Sequence, residues 1–411
     1  MKRFLIGTSL LAMALLACSS APESDAPLVW WQFWTNPEVR PTITQLVTSF
    51  ENASKAKVQL GDLTWSDGHE KIAIALSTGG GPDVIELGSD WVAEFAASKR
   101  LLDLTDHLGG LRDSLLMWEP GIYKGRVYAA PWMLGTRVLF CNRTLLAQAG
   151  YSADFVPRTW AEMLEAARKV DELGEDIFGF GSNSAERHRL YKKYLPFFWS
   201  AGGEVFNANA TQTQFNTAAG RASLDFYLLL SESGIVETQA RIEEYFAAGK
   251  VGFVISGEWL AGKLLRNAPG FEYFAAVMPA AQPGGIGYSF AGGEYLVINE
   301  SSQNREAALA LLHHLTLPEN DALFTKATGS FTPVNKFTAF EVDSAAMATA
   351  SVFQQQIGNS RATPVHPGWV AVEEILERGI EQALYGKMTS QEALEMIDRE
   401  TAPILQKYAE R

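Results

Sequence analysis

The chain has 411 residues, of which 47% are hydrophobic, and a formal net charge of −13 at pH 7. This hydrophobic content excludes an intrinsically disordered chain, and the length allows one large domain or several. The acidic balance argues against a nucleic-acid partner, because nucleic-acid binding depends on basic patches.

The N-terminus has the layout of an export signal. Met1-Lys2-Arg3 precedes an apolar run at residues 4–16, which is shorter than the about 20 apolar residues of a transmembrane helix. The segment Leu15-Leu16-Ala17-Cys18 is similar to a bacterial lipobox, which implies cleavage before Cys18 and lipidation of its thiol. Ordinary cleavage after a small residue is the alternative. We interpret residues 1–17 as a lipoprotein signal peptide and residues 18–27 as a flexible tether.

Cysteine use is sparse. The sequence has 2 cysteines, and lipidation of Cys18 would leave Cys141 without a partner for an intrachain disulfide. Cys141 lies in an apolar segment, which favours a buried small side chain over a nucleophile.

Strands and helices alternate through the first hundred residues. The β-favouring run at 29–34 predicts a strand buried on both faces, with Trp30, Trp31 and Phe33 in the core. Further strands are predicted at 58–60 and 83–87, with helices at 43–50, 72–76 and 91–97. This order is typical of a largely parallel sheet covered by helices.

The alternation continues to the C-terminus without an internal repeat. The clearest helix is predicted at 160–173, with Thr159 as N-cap and Glu162 at the capping-box position. The other predicted helices are 218–233, 305–317, 369–385 and 390–407, and the other extended segments are 128–132, 137–142, 251–255 and 294–299.

Several segments occur in an order that one family shares. They include Lys124-Gly125-Arg126-Val127-Tyr128-Ala129-Ala130-Pro131-Trp132, Pro157-Arg158-Thr159-Trp160, Gly252-Phe253-Val254-Ile255-Ser256-Gly257-Glu258-Trp259 and Gly329-Ser330-Phe331-Thr332-Pro333-Val334. From about residue 29 to its C-terminus, the chain resembles the extracellular solute-binding proteins of carbohydrate ABC importers, the maltose-binding-like group.

The resemblance implies an α/β, two-lobed periplasmic-binding-protein fold with a ligand cleft between the lobes. Each lobe would be a mostly parallel sheet flanked by helices, and three short crossings would join them, which explains why no linker-like composition is seen. The implied crossings lie near residues 131–135, 292–295 and 332–336. Lobe 1 would hold residues 28–131 plus 296–333, and lobe 2 residues 136–291 plus 336–411.

The resemblance also implies a function. The protein would capture a neutral mono- or oligosaccharide, or a glycosylated solute, by cleft closure and deliver it to a membrane permease. We expect an exported monomer, lipid-anchored to a bacterial membrane and facing the periplasm or the cell exterior. No cofactor, metal or catalytic activity is expected, and the adjacent His313 and His314 cannot share one helix face.

Residues after the first strands are candidate ligand contacts. A sugar needs flat aromatic rings against its C–H faces and planar polar groups at its hydroxyls, and charged partners strengthen those hydrogen bonds. Open α/β sheets place ligands at the carboxyl ends of their strands. The alternatives are that Trp34 packs under the next helix and that Ser89 caps one. The candidates of lobe 1 are Trp34, Asn36, Trp65, Ser66, Asp67, Gly88 and Ser89.

The resemblance adds candidates from later segments. Core packing is the alternative for Trp199, stabilisation of a helix start for Glu258, and a surface ion pair for Arg361. Glu294 departs from the commoner apolar or aromatic residue after the glycine pair, and is therefore a candidate for ligand preference. The added candidates are Trp132, Trp199, Glu258, Trp259, Gly293, Glu294, Arg361 and Trp369.

Two other functions compete with sugar binding. Asp90, Glu258 and Glu294 could supply the paired carboxylates of a glycosidase. A cationic solute such as a polyamine would suit acids and aromatic rings together. An oligoanion would call for clustered Lys or Arg, and the candidate segments offer only Arg361 and Arg137.

Overall fold

The structure is a computed structural model that describes residues 26–184 and 186–409. The predicted signal peptide, the lipidation site Cys18 and most of the predicted tether lie outside the described residues. Within the described ranges, no helix has both the length and the hydropathy that crossing a membrane requires.

The first sheet is mixed and contains the first strand of the chain. Its strand order is β13-β12-β3-β1-β2, with β6 paired to β12. Strand β1 is parallel to both β2 and β3, whereas β12 is antiparallel to β3 and β6. The strands are β1 (Leu28–Gln32), β2 (Val58–Asp62), β3 (Val84–Gly88), β6 (Ala130–Thr136), β12 (Ser289–Ile298) and β13 (Ser360–Arg361).

The second sheet has the order β11-β7-β10-β8-β9. Strands β8, β9 and β10 are parallel, and β7 is antiparallel to β10 and β11. Its strands are β7 (Val138–Asn142), β8 (Phe178–Asn183), β9 (Gly234–Glu237), β10 (Val251–Ser256) and β11 (Tyr273–Ala276); a separate hairpin pairs β4 (Ile122–Tyr123) with β5 (Arg126–Val127).

Helices cover both sheets, as the α/β pattern predicts. Their bounds are α1 (Arg40–Ser54), α2 (Gly68–Ser77), α3 (Val92–Ala97), α4 (Leu111–Ser114), α5 (Arg143–Gln148), α6 (Trp160–Asp171), α7 (Tyr191–Ser200), α8 (Ala218–Glu232), α9 (Gln239–Ala247), α10 (Glu258–Asn267), α11 (Arg305–Leu315), α12 (Pro318–Thr328), α13 (Met347–Ile357), α14 (Trp369–Leu384) and α15 (Ser390–Ala409), with one 3-10 turn at Glu119–Gly121.

Helix α6 shows how the local sequence sets an element boundary. The Thr159 hydroxyl accepts a hydrogen bond from the Glu162 backbone N–H at 3.3 Å, and the Glu162 carboxylate accepts one from the Thr159 N–H at 3.1 Å. The predicted capping box is thus confirmed. Such caps stabilise a helix start by about 1 kcal/mol.

The core packs on the faces of both sheets. Trp30 is fully buried, and Phe33 is buried against Leu63 and Ile72, as predicted. Trp31 was predicted to be core and is only half-buried, because its ring lies over Gly61 of the neighbouring strand at the sheet surface. Cys141 is buried, and burial raises the pKa of its thiol well above the usual value, so it is unsuited to act as a nucleophile.

Two antiparallel strands connect the sheets. Strand β12 pairs with β13 at Ser289 and Phe290 and with β3 from Glu294 onward, while β6 runs beside it and leads into β7 of the second sheet. The fold class is confirmed as a two-lobed α/β protein. The exact lobe boundaries stay a prediction. Strand β13 departs from them, because it pairs within the first sheet although residues 336–411 were predicted for lobe 2.

Candidate functional site

A pocket of about 320 Å³ lies between the two sheets, and we call it the cleft pocket. Small-molecule sites usually span about 300–1,000 Å³. The first sheet contributes residues that follow β1 and β2 and residues of β6 and β12. The lobe of the second sheet contributes the segment before α7, the start of α7, helix α9 and the start of α10. A narrower space of about 30 Å³, the inner recess, adjoins it and shares Trp65, Arg137 and Trp259 with it.

Three tryptophan rings line the cleft pocket, and each has a neighbour that fixes its orientation. Trp34 meets Phe324 edge-on, with ring centroids 5.3 Å apart. Trp65 stacks on Phe33 at 4.2 Å. Trp259 donates a hydrogen bond from its indole N–H to Glu243 at 2.7 Å. All three rings are half-buried, so each keeps a surface that a ligand can reach.

Glu294 places a carboxyl group with a raised pKa in the pocket. It lies on β12 opposite Gly88 of β3. Burial raises the pKa of Glu294 to about 7, although Lys192 and Arg137 act in the opposite direction. Near neutral pH, Glu294 can therefore either donate or accept a hydrogen bond.

A second acid lies behind Glu294 in the first sheet. Glu86 of β3 is fully buried and accepts a hydrogen bond from the Phe33 backbone N–H at 2.8 Å. Burial, together with repulsion from Glu294, raises its pKa well above the usual range. Repulsion between the two acids disfavours the ionisation of both at once.

Basic side chains of the pocket were missed at the sequence level, apart from Arg137. Arg189, Lys192 and Lys193 also line it. They fall within a basic run between residues 187 and 193, which was the available signal. Helix α7 was not predicted, because it is buried on nearly all sides and contains Pro196, a residue that disfavours a helix interior.

One cluster of polar groups joins the lobes beside the pocket. The Tyr191 hydroxyl donates to Asp90 at 2.6 Å, and the Lys192 ammonium lies 3.8 Å from the same carboxylate. Burial alone would raise the pKa of Asp90, but Lys192 and Tyr191 hold it below the usual value. Asp90 follows a strand of the first sheet and Tyr191 begins a helix of the second lobe, so these contacts hold the two lobes together.

Eight predicted site residues border the two spaces. Their role in ligand binding stays a prediction. Trp34, Trp65, Trp259 and Glu294 line the cleft pocket; Gly88, Ser89, Glu258 and Gly293 line the inner recess.

Glu258 has a structural role in addition to its position in the recess. Its carboxylate accepts hydrogen bonds from the Ser330 hydroxyl, from the Phe331 backbone N–H at 2.5 Å and from the Thr332 hydroxyl at 2.9 Å. These residues lead into the segment at 332–336, where the third crossing is predicted. Burial raises the pKa of Glu258, and these hydrogen bonds oppose that effect.

Three predicted tryptophans belong to the core instead of the pocket. Trp132 is 1% exposed because it faces the helix side of β6, where it stacks on Phe324 at 4.2 Å. Trp369 is fully buried against Tyr191 at the start of α14. Trp199 is 3% exposed near the end of α7. A position beside a glycine or proline did not distinguish these rings from cleft residues.

Four predicted polar contacts lie outside both spaces. Asn36 is exposed and bonds Glu38 at 3.1 Å. Asp67 pairs with Lys71 at 2.8 Å, and Ser66 lies in the same turn. Arg361 forms the surface ion pair that was the alternative to cleft binding: its guanidinium lies 2.9 Å from Glu204 and over the ring of Tyr288. These side chains point away from the pocket because local partners hold them.

Among residues 26–184 and 186–409, no three His, Cys, Asp or Glu side chains are grouped so that they could hold a metal ion.

The sequence of the chain matches the model of a known family. The model of the bacterial extracellular solute-binding proteins matches residues 35–322. The chain belongs to this family. This solute-binding protein is 26% identical to the diacetylchitobiose binding protein DasA of Streptomyces coelicolor, over 91% of each chain. It is 23% identical to the maltodextrin-binding protein MdxE of Bacillus subtilis, over 94% of this chain and 93% of the relative.

Solved structures agree with the fold of the solute-binding protein. The sugar-binding protein MalE of Xanthomonas citri is 26% identical, with a TM-score of 0.76 over 93% of this chain and 98% of that one. A solute-binding protein of Thermotoga lettingae is 24% identical, with a TM-score of 0.82 over 92% and 99% of the two chains. The family and these relatives are binding proteins.

Proposed function

We propose that this protein captures a sugar in the cleft pocket by closing its lobes on it, and that it delivers the sugar to the membrane permease of an ABC importer. The observation that carries the proposal is the meeting of Trp34, Trp65 and Trp259 in one pocket, with polar groups between them. Two similar proteins are named as binding proteins for diacetylchitobiose and for maltodextrin, which supports a sugar as the ligand.

Closure follows from where the rings are attached. Trp34 and Trp65 follow strands of the first sheet, whereas Trp259 begins a helix after a strand of the second. A sugar that touches all three binds the closed arrangement more tightly than an open one, and so shifts the population toward closure. Micromolar affinity corresponds to about −8 kcal/mol, which stacked rings and charged hydrogen bonds can supply after the cost of closure.

Two competing functions fit the pocket less well. A glycosidase would need free carboxyl groups, but Asp90 is bonded to Tyr191 and Glu258 to the segment at residues 330–332. A polyamine would face the cations of Arg137 and Lys192 in the same pocket. We therefore propose a non-catalytic role with a sugar as the ligand.

The proposal includes an exported protein, held to a bacterial membrane through lipid on Cys18 and working as a monomer beside its permease. A relative from Streptococcus pneumoniae is named a maltooligosaccharide ABC transporter solute-binding lipoprotein and is 21% identical over 80% of this chain, which supports this placement. Replacing Cys18 by Ser should release the protein from the membrane fraction. Retention of the Cys18→Ser variant would contradict the anchor.

A ligand screen tests the function. Thermal-shift measurements with neutral sugars, acidic sugars and polyamines should show stabilisation by at least one sugar, followed by calorimetry and small-angle scattering with that sugar. The radius of gyration should fall on saturation. Tyr385→Ala provides a control, because this exposed aromatic residue lies outside the pocket. Stabilisation by polyamines alone, or identical scattering curves with and without the sugar, would contradict the proposal.

A further inference from the structure

The cleft pocket holds a guanidinium that lacks a carboxylate partner. Arg137 lies with its guanidinium 4.5 Å from the ring centroid of Trp259 and donates to the carbonyl of Thr136 at 3.0 Å. In the part of the chain that the structure describes, no carboxylate oxygen lies within 4.0 Å of it. Burial lowers the pKa of Arg137 to about 10, so the group still carries its charge at neutral pH.

Lys192 is a second cation that faces the same space. Its ammonium is 3.8 Å from the Asp90 carboxylate, which is too long for a close ion pair, and that carboxylate already accepts a hydrogen bond from Tyr191. The ammonium is also 6.0 Å from the ring centroid of Trp65. Arg137 therefore lies beside the Trp259 ring of one lobe, and Lys192 lies near the Trp65 ring of the other.

Two of the acids in the pocket are already engaged by other groups. Glu243 accepts hydrogen bonds from Gln239, Ser256 and Trp259, and Lys263 lies 3.7 Å from it. Glu186 accepts from the backbone N–H of Gln239 and lies 3.9 Å from Arg189. Neither acid can neutralise Arg137 or Lys192 at short range.

Glu294 does not cancel the positive charge either. Its carboxyl group is half-protonated near pH 7, and an anion nearby would favour the protonated form further. In that form it donates a hydrogen bond. With Asp90 beside Lys192, Arg137 and Lys193 are the pocket cations that have no carboxylate oxygen within 4.0 Å among the described residues.

We propose that the sugar this pocket takes is acidic, with a ring carboxylate held between Arg137 and Lys192 and the ring itself against Trp65 and Trp259. The inference rests on the proposed function and specifies its ligand class. A planar carboxylate matches the two parallel N–H groups of a guanidinium, and the Lys192 ammonium is a second cation in the same pocket.

Calorimetry on the intact protein tests this with pairs of ligands that differ only in charge. The probes are disaccharides of glucuronate, galacturonate and mannuronate, each compared with its methyl ester, plus neutral disaccharides and glucose 6-phosphate. At least one uronate should bind tenfold or more tightly than its own ester. Raising the salt concentration should weaken that preference.

Each contrary result has a distinct meaning. Equal affinity for a uronate and its ester, or binding of neutral sugars alone, would overturn the inference and leave sugar capture standing. Tighter binding of glucose 6-phosphate would overturn the carboxylate in favour of a phosphate. Failure of every sugar to bind would overturn both the inference and the proposed function.

Variants locate the charge that is responsible. Arg137→Gln should lower the preference for the uronate over its ester about tenfold, and Lys192→Met makes the same test if the first variant does not fold. Arg143→Gln is the matched control. The Arg143 guanidinium also stacks on an aromatic ring, with 4.8 Å to the centroid of Phe274, and donates to a backbone carbonyl, but Arg143 lies outside the cleft pocket and the inner recess. A folded Arg137→Gln protein with an unchanged preference would refute the role of Arg137.

Discussion

Replacing Trp132 by Ala tests whether this residue belongs to the core or contacts the ligand. Trp132 is 1% exposed, stacks on Phe324 with ring centroids 4.2 Å apart, and meets Trp30 edge-on at 5.5 Å. Removing a buried tryptophan costs about 3–5 kcal/mol, because burial is lost and a cavity remains. We therefore expect Trp132→Ala to lower the free energy of unfolding by about that amount.

Guanidinium chloride titration followed by circular dichroism measures this loss, with the slope of the transition checked for a change in two-state behaviour. Trp34→Ala is the matched comparison, because Trp34 meets the same Phe324 but is half-buried and lines the pocket. It should cost less stability and weaken sugar binding more than tenfold. A loss below about 1 kcal/mol for Trp132→Ala, or the reverse order of the two variants, would refute this placement.

Three further predictions follow from the pocket and its surroundings. Trp259→Ala should weaken sugar binding more than tenfold in calorimetry while the protein stays folded; unchanged affinity would remove this ring from the site. The folded-state pKa of Glu294 is about 7 against an ordinary 4.5, so the stability that its protonated form contributes is lost as pH rises between these two values. The melting temperature of Glu294→Gln should therefore rise relative to that of the parent between pH 5 and 8. A difference in melting temperature that does not change with pH would contradict this. Tyr191→Phe removes a hydrogen bond to Asp90 between the lobes and should increase the ligand-free radius of gyration in small-angle scattering. Tyr194→Phe is the control and should leave the radius unchanged, because the Tyr194 hydroxyl bonds Ser223 within one lobe. Equal scattering curves for the two variants would count against the contact between the lobes.

The fold was predictable because its strands and helices have clear periods. The run at residues 29–34 and the capping box at Thr159 both predict elements that the structure contains, at 28–32 and 160–171. Helix α7 was missed because tertiary packing buries nearly all of its faces. The order of motifs predicted the two lobes, which no periodicity could have done.

The candidate site was predictable only in part, since the face that a ring occupies depends on the sheet and not on its neighbours in sequence. Trp34 follows β1 and Trp132 lies in β6, yet Trp34 reaches the pocket and Trp132 the core. The pairing of β6 with β12 is irregular at Trp132, between Met133 opposite Glu294 and Pro131 opposite Tyr295, and the sequence does not show this irregularity. Lys192 was missed for a related reason: it is 55 positions from Arg137, and the two line one pocket only because α7 packs on β12.

Glu258 and Trp259 show how the fold can link the pocket to lobe movement. These consecutive residues begin α10: the first holds the segment at residues 330–332, and the second lies in the pocket beneath Arg137. Because the two residues share one helix start, a ligand that fixes the Trp259 ring also fixes the position of the segment at residues 330–332. Closure then depends on whether the ligand also engages the first lobe through Trp34 and Trp65. A sugar with an acidic group satisfies that condition, because its charge draws it toward Arg137 and Lys192 while its ring spans the remaining distance.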